Sequence, residues 1–136
     1  MAKVVLTNPR VTLDAVDLSD HITSLSINTD YDLVEVTQIG DIAKKMVAGL
    51  EDNSVIFEFQ QDFAPSEVED VIWPNRGLRI PCRVRPTTDA ISATNPEYRF
   101  EVLVSQWSPL SGEVGSLATT QVQWPIFGEI SKIIIP

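Results

Sequence analysis

One cysteine and one histidine in 136 residues remove much of the chemistry a small protein could perform. The single thiol, Cys82, cannot close an internal disulfide. One histidine with one cysteine also falls short of the donor set of a closed zinc site. No apolar run nears the ~20 residues needed to cross a bilayer. The opening Met1-Ala2-Lys3-Val4-Val5-Leu6 breaks at Thr7-Asn8-Pro9, too soon for the apolar core of a signal peptide. Synthesis and folding in the cytoplasm are therefore expected, with no membrane partner. Bases are scarce too: 10 lysines and arginines against 19 acids leave a net charge of −9. Tight wrapping of nucleic acid needs clustered bases and is disfavoured.

Hydrophobic residues form 43% of the chain and charged residues 21%, the balance of an ordinary globular domain. One domain spanning 1–136, with a core of its own, is the expectation. The charges are unevenly spread. Residues 51–75 hold seven acids (Glu51, Asp52, Glu58, Asp62, Glu67, Glu69, Asp70) and no base. Residues 76–99 hold five arginines (Arg76, Arg79, Arg83, Arg85, Arg99) against Asp89 and Glu97. Two readings stand: solvated faces that neutralise one another within one subunit, or acidic and basic surfaces that meet between copies in a head-to-tail ring.

Period-two alternation marks the strands. Val55, Phe57, Phe59 and Phe63 share one face, opposite Glu58, Gln60 and Asp62. In Leu78–Arg85 the even positions are apolar and three of the four odd ones are arginine, which puts Cys82 on the apolar side as a small buried hydrophobe. Tyr98, Phe100, Val102 and Val104 form a third face, and Ala118, Thr120, Val122 and Trp124 a fourth. With Ile22–Ile27 and Leu33–Ile39 this makes six strands, and a seventh is expected near Asp14–Leu18 or Ile130–Ile135. The one helical stretch is Pro65–Trp73. Ser66 and Glu69 have the spacing of a capping box, Val68, Val71 and Ile72 form an apolar stripe, and Pro74 stops it. The fold expected is mainly β: an antiparallel sandwich or barrel of six to seven strands with one short helix.

Two loops stand out. Gly40–Asn53 is longer than a hairpin needs, and loops of that length are commonly functional. Its Lys44-Lys45-Met46-Val47 mixes charge with apolar groups, as a surface that orders on assembly would. Thr87–Pro96 is polar, with a turn at Asn95-Pro96. The terminal Lys132-Ile133-Ile134-Ile135 either extends a sheet or lies against a neighbour.

The residues offer little catalysis. Asp14, Asp17 and Asp20 are spaced by three rather than two, which fits turns and caps better than a calcium loop. No G-x-S-x-G elbow accompanies His21, and no phosphate-binding glycine loop is present. Trp73, Trp107 and Trp124 each precede Pro or Ser-Pro, positions that suit plugs at the ends of a β-core more than a stacking platform. No catalytic, metal or cofactor residue is assigned, and the chain reads as a non-enzyme.

The order of weak signatures carries more. Val16-Asp17-Leu18-Ser19-Asp20-His21 leads into Ile22–Ile27. Leu33–Ile39 is followed by Gly40-Asp41, Lys44 and Lys45, Ala48-Gly49-Leu50 and the strand Val55–Phe63. Arg85-Pro86-Thr87, Ala93-Thr94-Asn95-Pro96-Glu97-Tyr98 and Val122-Gln123-Trp124-Pro125 continue the series. This arrangement, over most of the chain, resembles the tail tube proteins of long-tailed bacteriophages, especially short ones from phages of actinobacteria. The resemblance implies a virion protein, made in the host cytoplasm, whose copies form rings, usually hexameric, stacked around a channel through which DNA passes without specific binding. Other virion proteins would be its further partners. It makes Gly40, Asp41, Lys44, Lys45 and Met46 candidates for the assembly interface. The charge pattern adds Arg79, Arg83 and Arg85. The alternatives are a capsid decoration or head–tail joining protein of the same fold, and a small cytoplasmic ligand-binding module.

Overall fold

The computed structural model describes residues 5–135; the ends of the expected 1–136 span, residues 1–4 and Pro136, lie outside the described residues. Seven antiparallel strands form one sheet: β1 (Arg10–Leu13), β2 (Val16–Asp17), β3 (Ile22–Glu35), β4 (Met46–Gln60), β5 (Arg79–Arg85), β6 (Glu97–Leu103) and β7 (Thr119–Ile133). Their spatial order is β2-β1-β5-β6-β7-β4-β3. One short helix, α1 (Val68–Ile72), precedes a single 3₁₀ turn at Trp73–Asn75.

Strand β7 makes a two-layered fold from this sheet. Its first part pairs with β4, from Thr119 opposite Gln60 to Pro125 opposite Ser54. Its second part pairs with β6, from Ile126 opposite Val102 to Ile133 opposite Glu97. Pro125 has no N–H to give, and it stands where β7 changes partners. The register slips between Arg99 and Glu101, opposite Gly128, whose φ of +78° an L side chain rarely adopts. The two segments expected separately at Ala118–Trp124 and Ile130–Ile135 are thus one bent strand. Ile134 and Ile135 follow it and are exposed.

The two halves close on one core. Val11, Leu13, Ile80, Cys82, Val84, Phe100 and Val102 come from β1, β5 and β6; Val55, Phe57, Phe59, Val122 and Trp124 come from β4 and β7. Phe57 and Phe59 pack on Trp124 at centroid distances of 6.1 and 6.0 Å, and Phe59 also meets Trp107 at 5.8 Å. The indole N–H of Trp124 donates to the Gln106 carbonyl at 2.8 Å, so its polar end is satisfied. Val68, Val71 and Ile72 of α1 are buried in the same core, as the stripe predicts.

Several local expectations change. Phe63 does not share the face of Phe59: β4 ends at Gln60, and Phe63 is exposed beyond it. Trp73 is exposed rather than a plug and lies under the Arg76 guanidinium. No capping box forms between Ser66 and Glu69. Ser66 has φ +63° and its amide donates to Asp70 Oδ2 at 2.8 Å. Glu69 instead turns inward and accepts from Trp107 Nε1 at 2.8 Å and Gln61 Nε2 at 3.1 Å. The N-terminal strand is a hairpin, with β1 and β2 joined by Asp14 and Ala15 at φ +49° and +65°, the geometry of a two-residue primed turn.

Candidate assembly surfaces

The stretch Gly40–Asn53, expected to be one long loop, is mostly strand. β3 and β4 pair from Ile22 opposite Phe59 to Glu35 opposite Met46, with irregularities at Ile22/Ser24 and Tyr31/Leu33, and only residues 36–45 form the loop. The strand expected at Ile22–Ile27 and the first part of the one expected at Leu33–Ile39 are therefore a single β3, while residues 36–39 fall in the loop. Sequence alternation fades after Ile27 because the paired segments 30–35 and 46–52 run past the end of the β4–β7 pairing at Ser54 and have no core to face. They form a two-stranded arm.

The arm is built with care despite its exposure. A bulge near Asp32 brings that residue onto Gly49, where an added Cβ would sit 3.1 Å from the Asp32 carbonyl oxygen. Tyr31 donates to Glu51 at 2.6 Å, which lowers the pKa of the Glu51 carboxyl and raises that of the Tyr31 phenol. At the tip, the Gln38 amide donates to Asp41 Oδ2 at 2.7 Å, the Val36 amide donates to the Lys45 carbonyl at 2.8 Å, and Lys45 pairs with Asp41 at 3.2 Å. Gly40 supplies the turn at φ +95°. Of the candidate residues, Asp41 and Lys45 therefore meet, while Gly40, Lys44 and Met46 are exposed. Leu33, Val34, Ile39, Ile42, Val47 and Leu50 are exposed as well, with Ile39 and Ile42 as open as in an extended chain.

Asn53 sits at the root of the arm. Its amide donates to the carbonyl of Gly128, in the β7 bulge, at 3.0 Å and to Glu51 at 3.2 Å, and the residue is buried. It ties the point where β4 loses β7 to the point where β7 turns to β6. No sequence pattern marks it.

The second surface is the outward side of β5 and β6. Arg79, Arg83 and Arg85 project there, as the alternation predicts, and Arg10 and Arg99 join them through register. Arg79 lies over the Phe127 ring at 4.1 Å and 3.8 Å from Glu101. Arg85 is largely buried, 3.7 Å from Glu97, and donates to the Asp89 carbonyl at 2.8 Å.

No family model matches the sequence, and a comparison with curated proteins finds no match. Among solved structures, the fold is similar to that of a chain in the virion of a native gene transfer agent particle. The TM-score is 0.68 at 10% identity, over 92% of this chain and 95% of that one. At that identity the likeness is one of fold.

Cys82, His21 and Asp17 each help to hold the fold. Cys82 is buried, and desolvation pushes its thiol far above the ordinary range, which disfavours a thiolate nucleophile. His21 Nε2 lies 2.5 Å from Glu67 and 3.2 Å from Asp62, fastening the turn at Ser19–His21 to the segment before α1. Asp20, His21 and Glu67 bring ligand atoms within 4.8 Å of one another, in a cluster whose chemistry is that of an imidazole held by carboxylates. Asp17 behaves as the turn reading predicts. Burial works against its charge, but hydrogen bonds from the Ser19 hydroxyl and amide, with help from Arg10 and Arg85, hold its pKa below the usual aspartate value.

Proposed function

We propose that this chain is a virion structural protein, a tail tube subunit whose copies close into rings, six to a ring on the family resemblance, that stack around a DNA channel. The observation that carries this reading is the arm. A subunit whose longest strand pairing, β3 with β4, runs past its core, with open backbone edges and exposed isoleucines at the tip, is incomplete alone. The edge of β3 and the arm edge of β4 each fit a neighbour's strand by β-augmentation. The likeness of fold to a chain of a gene transfer agent virion supports the same direction.

The outward side of the β3–β4–β7 half suits the channel wall. Ser24, Ser26, Asn28, Ser54, Glu58, Gln121 and Gln123 lie on it, opposite the core-facing Val55, Phe57, Val122 and Trp124. These seven residues include a carboxylate and no base, so a passing phosphate backbone would meet repulsion rather than a binding site. The role is geometric and electrostatic, with no chemical step.

Electron microscopy and sedimentation of the purified full-length chain test the proposal. Rings or tubes are the expected result. Monomers or trimers that bind capsid particles would replace it with the decoration reading, and a bound small molecule in the β-core would replace it with the binding-module reading.

A further inference from the structure

Four guanidiniums line one depression of about 440 Å³ on the outward side of β1, β5 and β6: Arg10, Arg83, Arg85 and Arg99. Register sets them in like-charged pairs, Arg10 opposite Arg85 and Arg83 opposite Arg99. Like charges directly across neighbouring strands are destabilising unless something offsets them. Glu97 is the carboxylate among the lining residues; it is buried, 2.6 Å from Arg99 and 3.7 Å from Arg85. Four arginines less one glutamate leave three positive charges in a chain whose net charge is −9. Arg10 and Arg83 make no ion pair with an acid among the described residues, and Asp17 reaches Arg10 and Arg85 only at longer range. The Nε of Arg85 is buried without a hydrogen bond.

The arm carries the complementary fault. Asp30 stands directly opposite Asp52, both exposed, with Asp32 and Glu35 farther along β3 and no lysine or arginine on either arm strand. Other acids of the acidic segment are engaged within the subunit: Asp62 and Glu67 by His21, Glu69 by Trp107 and Gln61, Asp70 by the Ser66 amide. Asp30 and Asp52 belong to the outward face of one half of the fold and the arginines to the outward face of the other, with the core between. One chain does not bring them together.

We propose that the arginine depression receives the acidic root of the arm of a second copy of this chain, with Asp30 and Asp52 answering Arg10 and Arg83. This rests on the self-assembling subunit proposed above and names one of its contacts. Each like-charged pair, unfavourable alone, becomes favourable in the contact, so the charges also select against wrong registers.

Full-length variants test it. Arg10→Glu with Arg83→Glu leaves both partners of Glu97 in place; Asp30→Arg with Asp52→Arg reverses the arm. Each double variant, shown to fold by thermal melting, is expected to need about tenfold or more protein to assemble than wild type, because like charges then meet across the contact. The two reversed proteins mixed in equal amounts, and the fourfold variant alone, should both recover assembly, since each arm again finds an opposite charge. A double variant that assembles at the wild-type concentration overturns the contact, as does failure of both the mixture and the fourfold variant to recover. If a reversal prevents folding, Arg83→Gln and Asp30→Asn replace it, with a smaller loss in the same direction expected and no loss counting against the contact. Wild-type protein that remains monomeric at every concentration overturns the subunit reading itself, a result distinct from the others.

Discussion

The two ends of strand β4 obey different rules although the strand is continuous. From Asn53 to Gln60 buried and partly exposed residues alternate, and Val55, Phe57 and Phe59 are fully enclosed. From Met46 to Asp52 every residue is exposed, whichever way it points. Backbone pairing with β3 is the same kind in both parts. What differs is the second layer: β7 leaves β4 at Ser54, and beyond that point neither side of the hairpin has a sheet to pack on. Strand formation and burial are thus separable, and an arm that pairs without burying is poised to bury against another molecule.

Substituting both ends sharpens the contrast most. Phe57→Ala should cost about 3–5 kcal/mol in chemical denaturation, the range for emptying an aromatic site in a packed core. Leu33→Ser with Val34→Ser in the arm should change stability by no more than about 0.5 kcal/mol, yet impair assembly. Equal destabilisation by the two would mean that the arm packs on its own subunit. A larger cut comes next in effect on stability. Replacing residues 30–52 by Asn-Gly joins Thr29 to Asn53, which already face one another, through a two-residue turn. The product should melt within a few degrees of the parent and form no rings or tubes. Normal tubes from it would reduce the arm to a connector.

Within the body, Cys82→Ala should cost about 1 kcal/mol and leave assembly intact. The native thiol should resist alkylation until denaturant is added, and fast labelling of the folded protein would contradict its burial. The smallest effect concerns Asp17. Its folded pKa lies below the unfolded value of about 3.9, so its contribution is fully present above that value and is lost as pH falls through the folded one. Asp17→Asn should lower the melting temperature slightly at neutral pH, and the difference from wild type should vanish as pH falls through the folded pKa. A parallel downward shift at all pH values would show that the residue acts by shape alone.

The body was legible in the sequence because a second layer imprints a period of two. Val55, Phe57 and Phe59, the Ile80-Cys82-Val84 face, and Val122 with Trp124 are all buried where alternation places them. The arm was not legible as an arm. Its residues mix apolar and acidic groups without period, because no core selects among them, and the same lack of pattern describes a loop. β1 was missed for another reason: Arg10–Leu13 alternates, but over only four residues, too few to stand out from the flanking turns. The capping-box spacing of Ser66 and Glu69 misled because Trp107, distant in sequence, offers Glu69 a partly buried donor that outcompetes a backbone amide in water.

Chain composition and alternation alone determined that this protein is a mainly β structure with a lone, enclosed thiol, one short helix and a row of arginines on the outer side of a strand. Those properties follow from local patterning against a generic interior, whatever the partner strands are. Tertiary structure alone decided that β7 serves both halves, that Asn53 ties the arm to the bulge, and that Arg10 and Arg99 join Arg83. Each of these depends on register between segments far apart in the chain, and register is set by the packing of the whole sheet, which no local window contains.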